Sequence, residues 1–177
     1  AMNLVEHAAL RAGKTCAVFS LEMPRHEIVQ RLICSYAKVS MQKALDGQLA
    51  KKDWQKLMLA SDQLKKSKIF IDDSSRVTPG EILSKCRRLK ASAGLDMIMI
   101  DYIQLMNTEK SSKSDNRQQE ISEISRNLKI MAKDLGVPVL CCAQLSRGPE
   151  GRTIKKPMLS DLRDSGAIEP DADSVLF

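Results

Sequence analysis

The sequence predicts an α/β fold in which a parallel sheet is covered by helices on both faces. Short apolar runs alternate along the chain with segments whose apolar residues recur at helical spacing. Strands buried on both faces of a parallel sheet read as continuous apolar runs, because crossover helices cover each face. With 177 residues, of which 43% are hydrophobic, the chain is long enough to bury the core of one globular domain.

The two patterns predict the elements in chain order. Apolar runs predict strands at residues 16–19, 69–71, 97–100 and 137–143, and residues 175–177 look like a further strand. Helical spacing predicts a helix that ends at Gly13, one that starts at Pro24, and others at residues 51–67, 78–91 and around 121–135. No internal repeat interrupts this order.

Two polar loops separate some of these elements. Residues 107–116 are polar and lack aromatic side chains, and residues 145–159 combine glycine and proline with basic residues. Loops of this length inside a compact domain are usually functional or lack fixed structure. Neither loop is a domain linker, since the predicted sheet needs strands from both sides of each.

Composition narrows the classes of function. Aromatic residues make up only 3% of the chain, which argues against base-stacking platforms for single-stranded nucleic acid. The net charge of +6 permits a polyanionic partner, although ordinary solubility explains it as well. Five cysteines without a C-x-x-C motif indicate reduced thiols, and two distant histidines argue against a zinc site. With no signal peptide and no apolar run of about 18 residues, we expect a soluble cytoplasmic protein.

The tripeptide GKT at residues 13–15 matches the end of a nucleotide-binding phosphate loop, but its surroundings do not. The first glycine of the pattern G-x-x-x-x-G-K-[ST] falls on Ala8. A phosphate loop follows a strand and opens a helix, whereas here a helix precedes and a strand follows. We therefore interpret Gly13 as the end of a helix rather than as part of an ATP site.

Polar residues follow the apolar runs at the points where the predicted strands end. Glu22 follows the first strand, Asp101 follows the run at 97–100, and Gln144 follows the run at 137–143. In an open parallel sheet ligands bind beyond the carboxyl ends of the strands, so these side chains could converge on one site. Asp72 and Asp73 follow the second strand and are interpreted as turn residues.

Each of the three strand-end residues has a functional and a structural interpretation. Asp101 has the form of a Walker B aspartate that orients Mg²⁺ on the outer phosphates of ATP, although aspartate also starts turns. Glu22 could be the general base that activates water, or simply a charge that favours the helix begun at Pro24. Gln144 could sense the terminal phosphate, or its amide could bind loop backbone.

Residues 160–166, SDLRDSG, also allow two interpretations. They form the pattern of a short capped helix ended by glycine. Because they follow a basic loop, exposed backbone N–H groups together with Arg163 could instead hold successive phosphates of a nucleic-acid strand.

Five motifs taken together closely resemble one family. They are FSLEM, DMIMIDYIQLM, RQQEISEISRNLKIMAKDLGVPV, AQLSR and PMLSDLRDSGAIEPDADSVLF, in this order. They resemble the carboxyl-terminal RecA-like motor domain of the bacterial replicative DNA helicases, the DnaB family, over essentially the whole chain. Other RecA-like ATPases share the strand-end residues but not SDLRDSG together with IEPDAD.

The resemblance implies a role for each matching residue. Glu22 would be the catalytic glutamate, Asp101 the residue that holds Mg²⁺, and Gln144 a catalytic residue that links the state of bound ATP to the DNA loops. Arg163, Asp164 and Gly166 would belong to the loop that grips single-stranded DNA in the channel of a homo-hexamer, and residues 107–116 would form a second loop facing the pore. A primase and a helicase loader would be partners of the full-length protein.

The resemblance also implies parts that residues 1–177 do not contain. In this family the phosphate loop immediately precedes the helix that begins here at Ala1, and the arginine finger of a neighbouring subunit should lie beyond Phe177. We therefore expect residues 1–177 alone neither to hydrolyse ATP nor to unwind DNA at a useful rate.

Two other classes of function are compatible with the same sequence. A RecA-like module used for assembly or partner binding without hydrolysis is one, although it has no need for Glu22, Asp101 and Gln144 together. A sequence-specific nucleic-acid binder is the other, and it predicts an affinity that depends on base sequence rather than strongly on salt.

Overall fold

A computed structural model of the chain describes residues 1–108, 117–146, 155–162 and 168–177. Its centre is a sheet of four parallel strands in the order β2-β1-β3-β4. The strands are β1 (Cys16–Ser20), β2 (Ile69–Asp72), β3 (Met97–Asp101) and β4 (Val139–Cys141). The predicted parallel sheet is confirmed, and the two strands with the most buried residues, β1 and β3, lie at its centre.

Seven α-helices connect and cover these strands within the described residues. They are α1 (Met2–Glu6), which continues as one π-helical segment (His7–Arg11), α2 (Arg25–Ala37), α3 (Met41–Leu45), α4 (Lys51–Lys66), α5 (Pro79–Ala93), α6 (Arg117–Leu135) and α7 (Ile168–Asp171). Short 3₁₀ helices lie at Ile103–Leu105 and Leu159–Asp161. The helices α4 and α5 agree with the sequence prediction to within two residues, as expected where the apolar spacing is sustained.

The sheet carries a hydrophobic core on each face. Alternate residues of β1 point to opposite faces, so Ala17 and Phe19 pack with α5 and α6 whereas Val18 packs with α1. The face toward α5 and α6 holds the larger core, which includes Ile98 and Ile100 of β3. All five residues of β1 are buried, which explains why its sequence is a continuous apolar run.

Two predicted features of the fold are wrong, and the short helices α3 and α7 were not predicted. Residues 175–177 form no strand in the described structure, and Leu176 is 81% exposed, so this apolar run has no sheet to join there. β4 is shorter than the predicted strand at 137–143, because Val137 packs into the larger core before the ladder begins and the ladder ends at Cys141. The helix α3 has only five residues and none is buried, so it shows no periodic apolar signal.

The described structure also characterises the cysteines and the helices. All five cysteines are free thiols, three of them buried. Among the described residues, no helix is both long enough and apolar enough to cross a membrane.

Candidate functional site

Three neighbouring strands carry the candidate residues at the same edge of the sheet. Glu22 follows β1, Asp101 is the last residue of β3, and Gln144 follows β4. β1 pairs with β3 so that Ser20 lies opposite Asp101, and β3 pairs with β4 so that Ile100 lies opposite Cys141. The structure therefore brings the three predicted residues to the carboxyl ends of adjacent strands, as parallel pairing requires.

A small cavity lies beneath this edge. Its volume is about 60 Å³, and its lining includes Met2, Ser20, Arg31 and Asp101. Ligand clefts typically measure 300–1,000 Å³, so the cavity accounts for only part of a nucleotide site. Met2 brings the start of α1 to the same place, so the residues at the amino end of the chain lie beside Asp101.

The turn that carries Glu22 is fixed from both sides. The buried Ser20 hydroxyl donates to the carbonyl of Met23 at 2.8 Å and accepts from its N–H at 3.2 Å. The Leu21 N–H donates to the carbonyl of Asp101 at 2.8 Å. The Glu22 side chain is exposed and forms no ion pair within the described part of the chain. The turn thus presents a free carboxylate on a rigid backbone.

Asp73 extends this support from the neighbouring strand, and its interpretation as a simple turn residue is incomplete. Its carboxylate accepts a hydrogen bond from the backbone N–H of Arg25 at 2.9 Å and forms an ion pair with the Arg25 guanidinium at 3.1 Å. The backbone N–H of Arg25 is the main cause of the lowered pKa of Asp73. Asp73 therefore ties the end of β2 to the start of α2, directly after the Glu22 turn.

Asp101 is the last residue of β3 and is half-buried. The thiol of Cys142 lies beside it, where burial raises the pKa of Cys142 and the Asp101 carboxylate raises it further. The peptide bond between Asp101 and Tyr102 is cis. Across residues 1–108, 117–146, 155–162 and 168–177, no three His, Cys, Asp or Glu side chains cluster as a metal site.

Gln144 has an exposed side chain and a backbone that is held by a second glutamine. Gln104, in the 3₁₀ helix after β3, accepts from the Gln144 N–H at 3.1 Å and donates its amide to the Gln144 carbonyl at 3.4 Å. The side chain of Gln144 therefore stays available at the strand end. Gln104 could not be found from the sequence alone, because no local pattern relates two residues that are 40 positions apart.

The segment after Gln144 pairs with the segment that leads to Arg163. Leu145 forms an antiparallel bridge with Leu162, and the Ser146 N–H donates to the carbonyl of Asp161 at 2.7 Å. Asp161 is 1% exposed, and its carboxylate accepts from the Met158 N–H at 2.8 Å. A buried carboxylate with backbone donors fixes the local chain, so this pairing connects the end of β4 to the residue next to Arg163.

Several predicted residues lie outside the described part of the chain. They are Arg163, Asp164 and Gly166, most of the polar loop at 107–116, and residues 147–154 of the basic loop. The predicted short helix at 160–166 is described only as far as Leu162, where a 3₁₀ helix covers Leu159–Asp161.

The GKT tripeptide lies at the opposite end of the sheet. Gly13 has a φ of +66° and ends the first helical segment. Lys14 forms an ion pair with Asp96 at 3.2 Å, and the Thr15 N–H donates to the same carboxylate at 2.8 Å. Because Lys14 precedes β1 and Asp96 precedes β3, this cluster lies at the amino ends of the strands. The structure agrees that GKT is not a phosphate loop.

Comparison with known proteins gives a consistent result. Residues 1–177 match the family described as DnaB-like helicase C terminal domain. The chain is 48% identical over 177 residues to the replicative DNA helicase DnaC of Bacillus subtilis, and covers 39% of it. It is 48% identical over 180 residues to the replicative DNA helicase DnaB of Haemophilus influenzae, and covers 38% of it. The chain thus spans about two fifths of the length of these relatives.

Solved structures agree with this result. One that is described as an ATPase domain has a TM-score of 0.88 and 38% identity, with 97% of this chain and 62% of that one covered. A DnaB-like replicative helicase, described with its interactions with primase, has a TM-score of 0.85 and 41% identity, with 92% of this chain and 39% of that one covered. These neighbours and the parallel sheet show the RecA-like fold that the motifs predicted. The chain belongs to the family of DnaB-like helicase carboxyl-terminal domains.

Proposed function

We propose that this domain is the ATP-hydrolysing motor of a replicative DNA helicase that moves along single-stranded DNA. The observation that carries the proposal is the arrangement at the carboxyl edge of the sheet. There the two carboxylates of Glu22 and Asp101 lie at the ends of neighbouring strands, and the Gln144 segment pairs directly with the residues before Arg163. The names of the relatives support the same activity.

Asp101 is the residue that we propose to hold Mg²⁺ bound with ATP. Mg²⁺ in phosphate-transfer sites commonly has one or two protein carboxylates, with water and phosphate oxygens as its other ligands. Asp101, a half-buried aspartate at a strand end, fits that requirement. Mg²⁺ would neutralise charge on the outer phosphates.

Glu22 is the proposed general base. Its carboxylate is exposed on a turn whose backbone is held by Ser20 and by the carbonyl of Asp101. A general base must accept a proton from water at a fixed position next to the reacting phosphate. Gln144, with its free amide at the adjacent strand end, would contact the terminal phosphate and respond to its loss.

Arg163, Asp164 and Gly166 are the proposed DNA-binding residues. Contacts to phosphates position a strand without reading its bases, which suits a motor that must act on any sequence. The antiparallel bridge between Leu145 and Leu162 supports a route from the nucleotide site to this loop, because it joins the Gln144 segment to the neighbour of Arg163.

The full-length protein would complete this site and supply its partners. We propose that residues before Ala1 carry the phosphate loop, since Met2 already lines the cavity beside Asp101. A homo-hexamer would bring an arginine finger from a neighbouring subunit. A primase and a helicase loader are further proposed partners, as one structural relative is described with primase. The family resemblance also implies a cytoplasmic location.

ATP hydrolysis by the full-length protein, with and without single-stranded DNA, tests the proposal. We expect hydrolysis that single-stranded DNA stimulates, with DNA affinity that falls steeply as salt rises. Hydrolysis without stimulation would contradict the DNA-binding role of the Arg163 loop. No hydrolysis from a folded, ring-forming protein would favour a module used for assembly alone.

A further inference from the structure

Gln104 occupies a distinctive position between two parts of the site. It lies in the 3₁₀ helix Ile103–Leu105, three residues after Asp101, and its side chain reaches the backbone of Gln144. It therefore connects the strand that ends in the proposed Mg²⁺ residue with the segment that carries the proposed phosphate sensor.

The side-chain hydrogen bonds of Gln104 replace backbone hydrogen bonds beyond the point where the pairing of β3 and β4 ends. The last residue pair in the β3 and β4 ladder is Ile100 with Cys141, after which Cys142 still exchanges backbone hydrogen bonds with Ile100 and Ile103 at 2.9 and 3.0 Å. Beyond that point the side-chain amide of Gln104 takes the place of a backbone partner. It satisfies both the N–H and the C=O of Gln144, which a side chain can do only with one donor and one acceptor.

Other contacts hold Gln104 itself in place. The Arg117 guanidinium at the start of α6 donates to the Gln104 carbonyl at 2.7 Å and to the Met106 carbonyl at 3.2 Å. Ile103 and Met106, on either side, are buried in the larger core. The backbone of Gln104 is thus fixed, and its side-chain hydrogen bonds hold the backbone of Gln144 relative to it.

We propose that Gln104 is a positioning residue that couples the nucleotide site to the DNA loop, an inference that rests on the proposed function. Gln104 contacts neither ATP nor DNA in this proposal. It keeps the backbone of Gln144 in register with the Asp101 strand. The Gln144 segment in turn pairs with Asp161 and Leu162, next to Arg163.

The substitution Gln104→Met in the full-length protein tests this role, because methionine matches glutamine in length but has neither an amide donor nor its carbonyl acceptor. We expect stimulation of ATP hydrolysis by single-stranded DNA to fall about fivefold or more, within the usual range of coupling between sites. Basal hydrolysis and DNA affinity should stay within about twofold of the original, because no contact to ligand is removed. Gln55→Met, on the exposed side of α4, is the matched control and should leave stimulation unchanged.

A second variant, Gln104→Glu, tests the same role if the Gln104→Met protein does not fold. Gln104→Glu retains the acceptor for the Gln144 N–H and loses the donor to its carbonyl, so its stimulation should lie between that of the original protein and that of Gln104→Met. Hydrogen exchange of the backbone at residues 142–146 gives a readout independent of activity. Exchange should be faster in both variants than in the Gln55→Met control.

The outcomes separate this inference from the proposed function. If the original protein hydrolyses ATP without any stimulation by DNA, the proposed function itself fails. If the original protein is stimulated and both Gln104 variants are stimulated equally well, only the coupling role is overturned. An equal loss of basal and stimulated hydrolysis also overturns it, because that result indicates a general effect on the nucleotide site.

Discussion

Asp96 uses its carboxylate in the opposite way to Glu22 and Asp101, which lie at the other end of the sheet. At the amino ends of the strands, Lys14 and Thr15 both bind the carboxylate of Asp96. At the carboxyl ends, Glu22 and Asp101 form no ion pair within the described part of the chain. A carboxylate whose partners lie within the domain supports the fold, whereas one left without a counter-charge on a fixed backbone is available to a ligand. The GKT sequence alone would have placed the nucleotide at the opposite end from the site that we propose.

The strongest expected effect comes from Glu22→Gln at the carboxyl end, in the full-length protein. Without a group that can accept the proton of water, ATP hydrolysis should fall about 100- to 10,000-fold. ATP binding should persist, because the amide has nearly the same shape. Steady-state hydrolysis and equilibrium ATP binding measure the two effects.

Glu27→Gln is the matched control for this change. Glu27 lies in the first turn of α2, only five positions from Glu22. Its substitution removes the same charge without changing the turn that carries Glu22. The rate of ATP hydrolysis by the Glu27→Gln protein should match that of the original protein. Unchanged turnover in Glu22→Gln would remove Glu22 as the base, and an equal loss in both variants would indicate a general effect of charge near α2.

The next largest effect is expected at Arg163, which directly follows the bridge between Leu145 and Leu162. Arg163→Ala in the full-length protein should weaken binding of single-stranded DNA about tenfold or more, the usual effect of losing a charge-assisted hydrogen bond. DNA-stimulated hydrolysis should fall with it, whereas basal hydrolysis should not. Arg88→Ala, which removes the same charge from an exposed position on α5, should leave DNA binding unchanged. Equal weakening by both variants would indicate nonspecific attraction to the net charge.

The smallest effect is expected at the amino end. Asp96→Asn removes the charge that faces Lys14 but leaves an oxygen that the Thr15 N–H can still reach. Because exposed ion pairs contribute little, the melting temperature of the domain should fall by no more than about 3 °C. Hydrolysis by the full-length protein should be unaffected. A clear loss of hydrolysis would contradict the separation between the two ends.

The stability difference between the original protein and Asp96→Asn should also depend on pH. The N–H of Thr15 and then the Lys14 ammonium lower the pKa of Asp96 in the folded protein. A lowered folded pKa contributes stability above the unfolded pKa, and this contribution is lost as pH falls through the folded pKa. The difference should therefore be present at pH 7, should decrease as the pH falls below about 4, and should be lost once the pH is below the lowered folded pKa. Glu123→Gln, which removes an exposed carboxylate from α6, serves as the control.

The parts of the fold that the sequence predicted well are those whose residues carry their own signal. β1 and β3 are buried on both faces, so a continuous apolar run defines each of them to within one residue. These runs also predict where the strands end, and the residues at those ends, Glu22, Asp101 and Gln144, are therefore the candidates. The run at residues 175–177 has the same composition but is exposed, because a strand also requires a neighbour to pair with.

The supporting residues could not be predicted in this way. Gln104 acts on a backbone group 40 positions away, and Asp73 supports a helix that begins 48 positions earlier. Asp161 has the pattern of an ordinary helix cap, and only its burial shows that it fixes the segment next to Arg163. Contacts of this kind depend on the finished topology rather than on local spacing.

The order of strands in the sheet has a consequence for synthesis of the chain. β1 is central in the sheet, yet its neighbour β3 comes much later in the chain. Thr15, just before β1, and Asp96, just before β3, are 81 positions apart. At a translation rate of about 5–20 residues per second, a ribosome needs on the order of ten seconds to make that interval. During this time the apolar residues of β1 cannot reach their final partner strand. A nascent chain would therefore leave one edge of its most buried strand unpaired until β3 emerges, which makes this interval the natural point for a chaperone to bind.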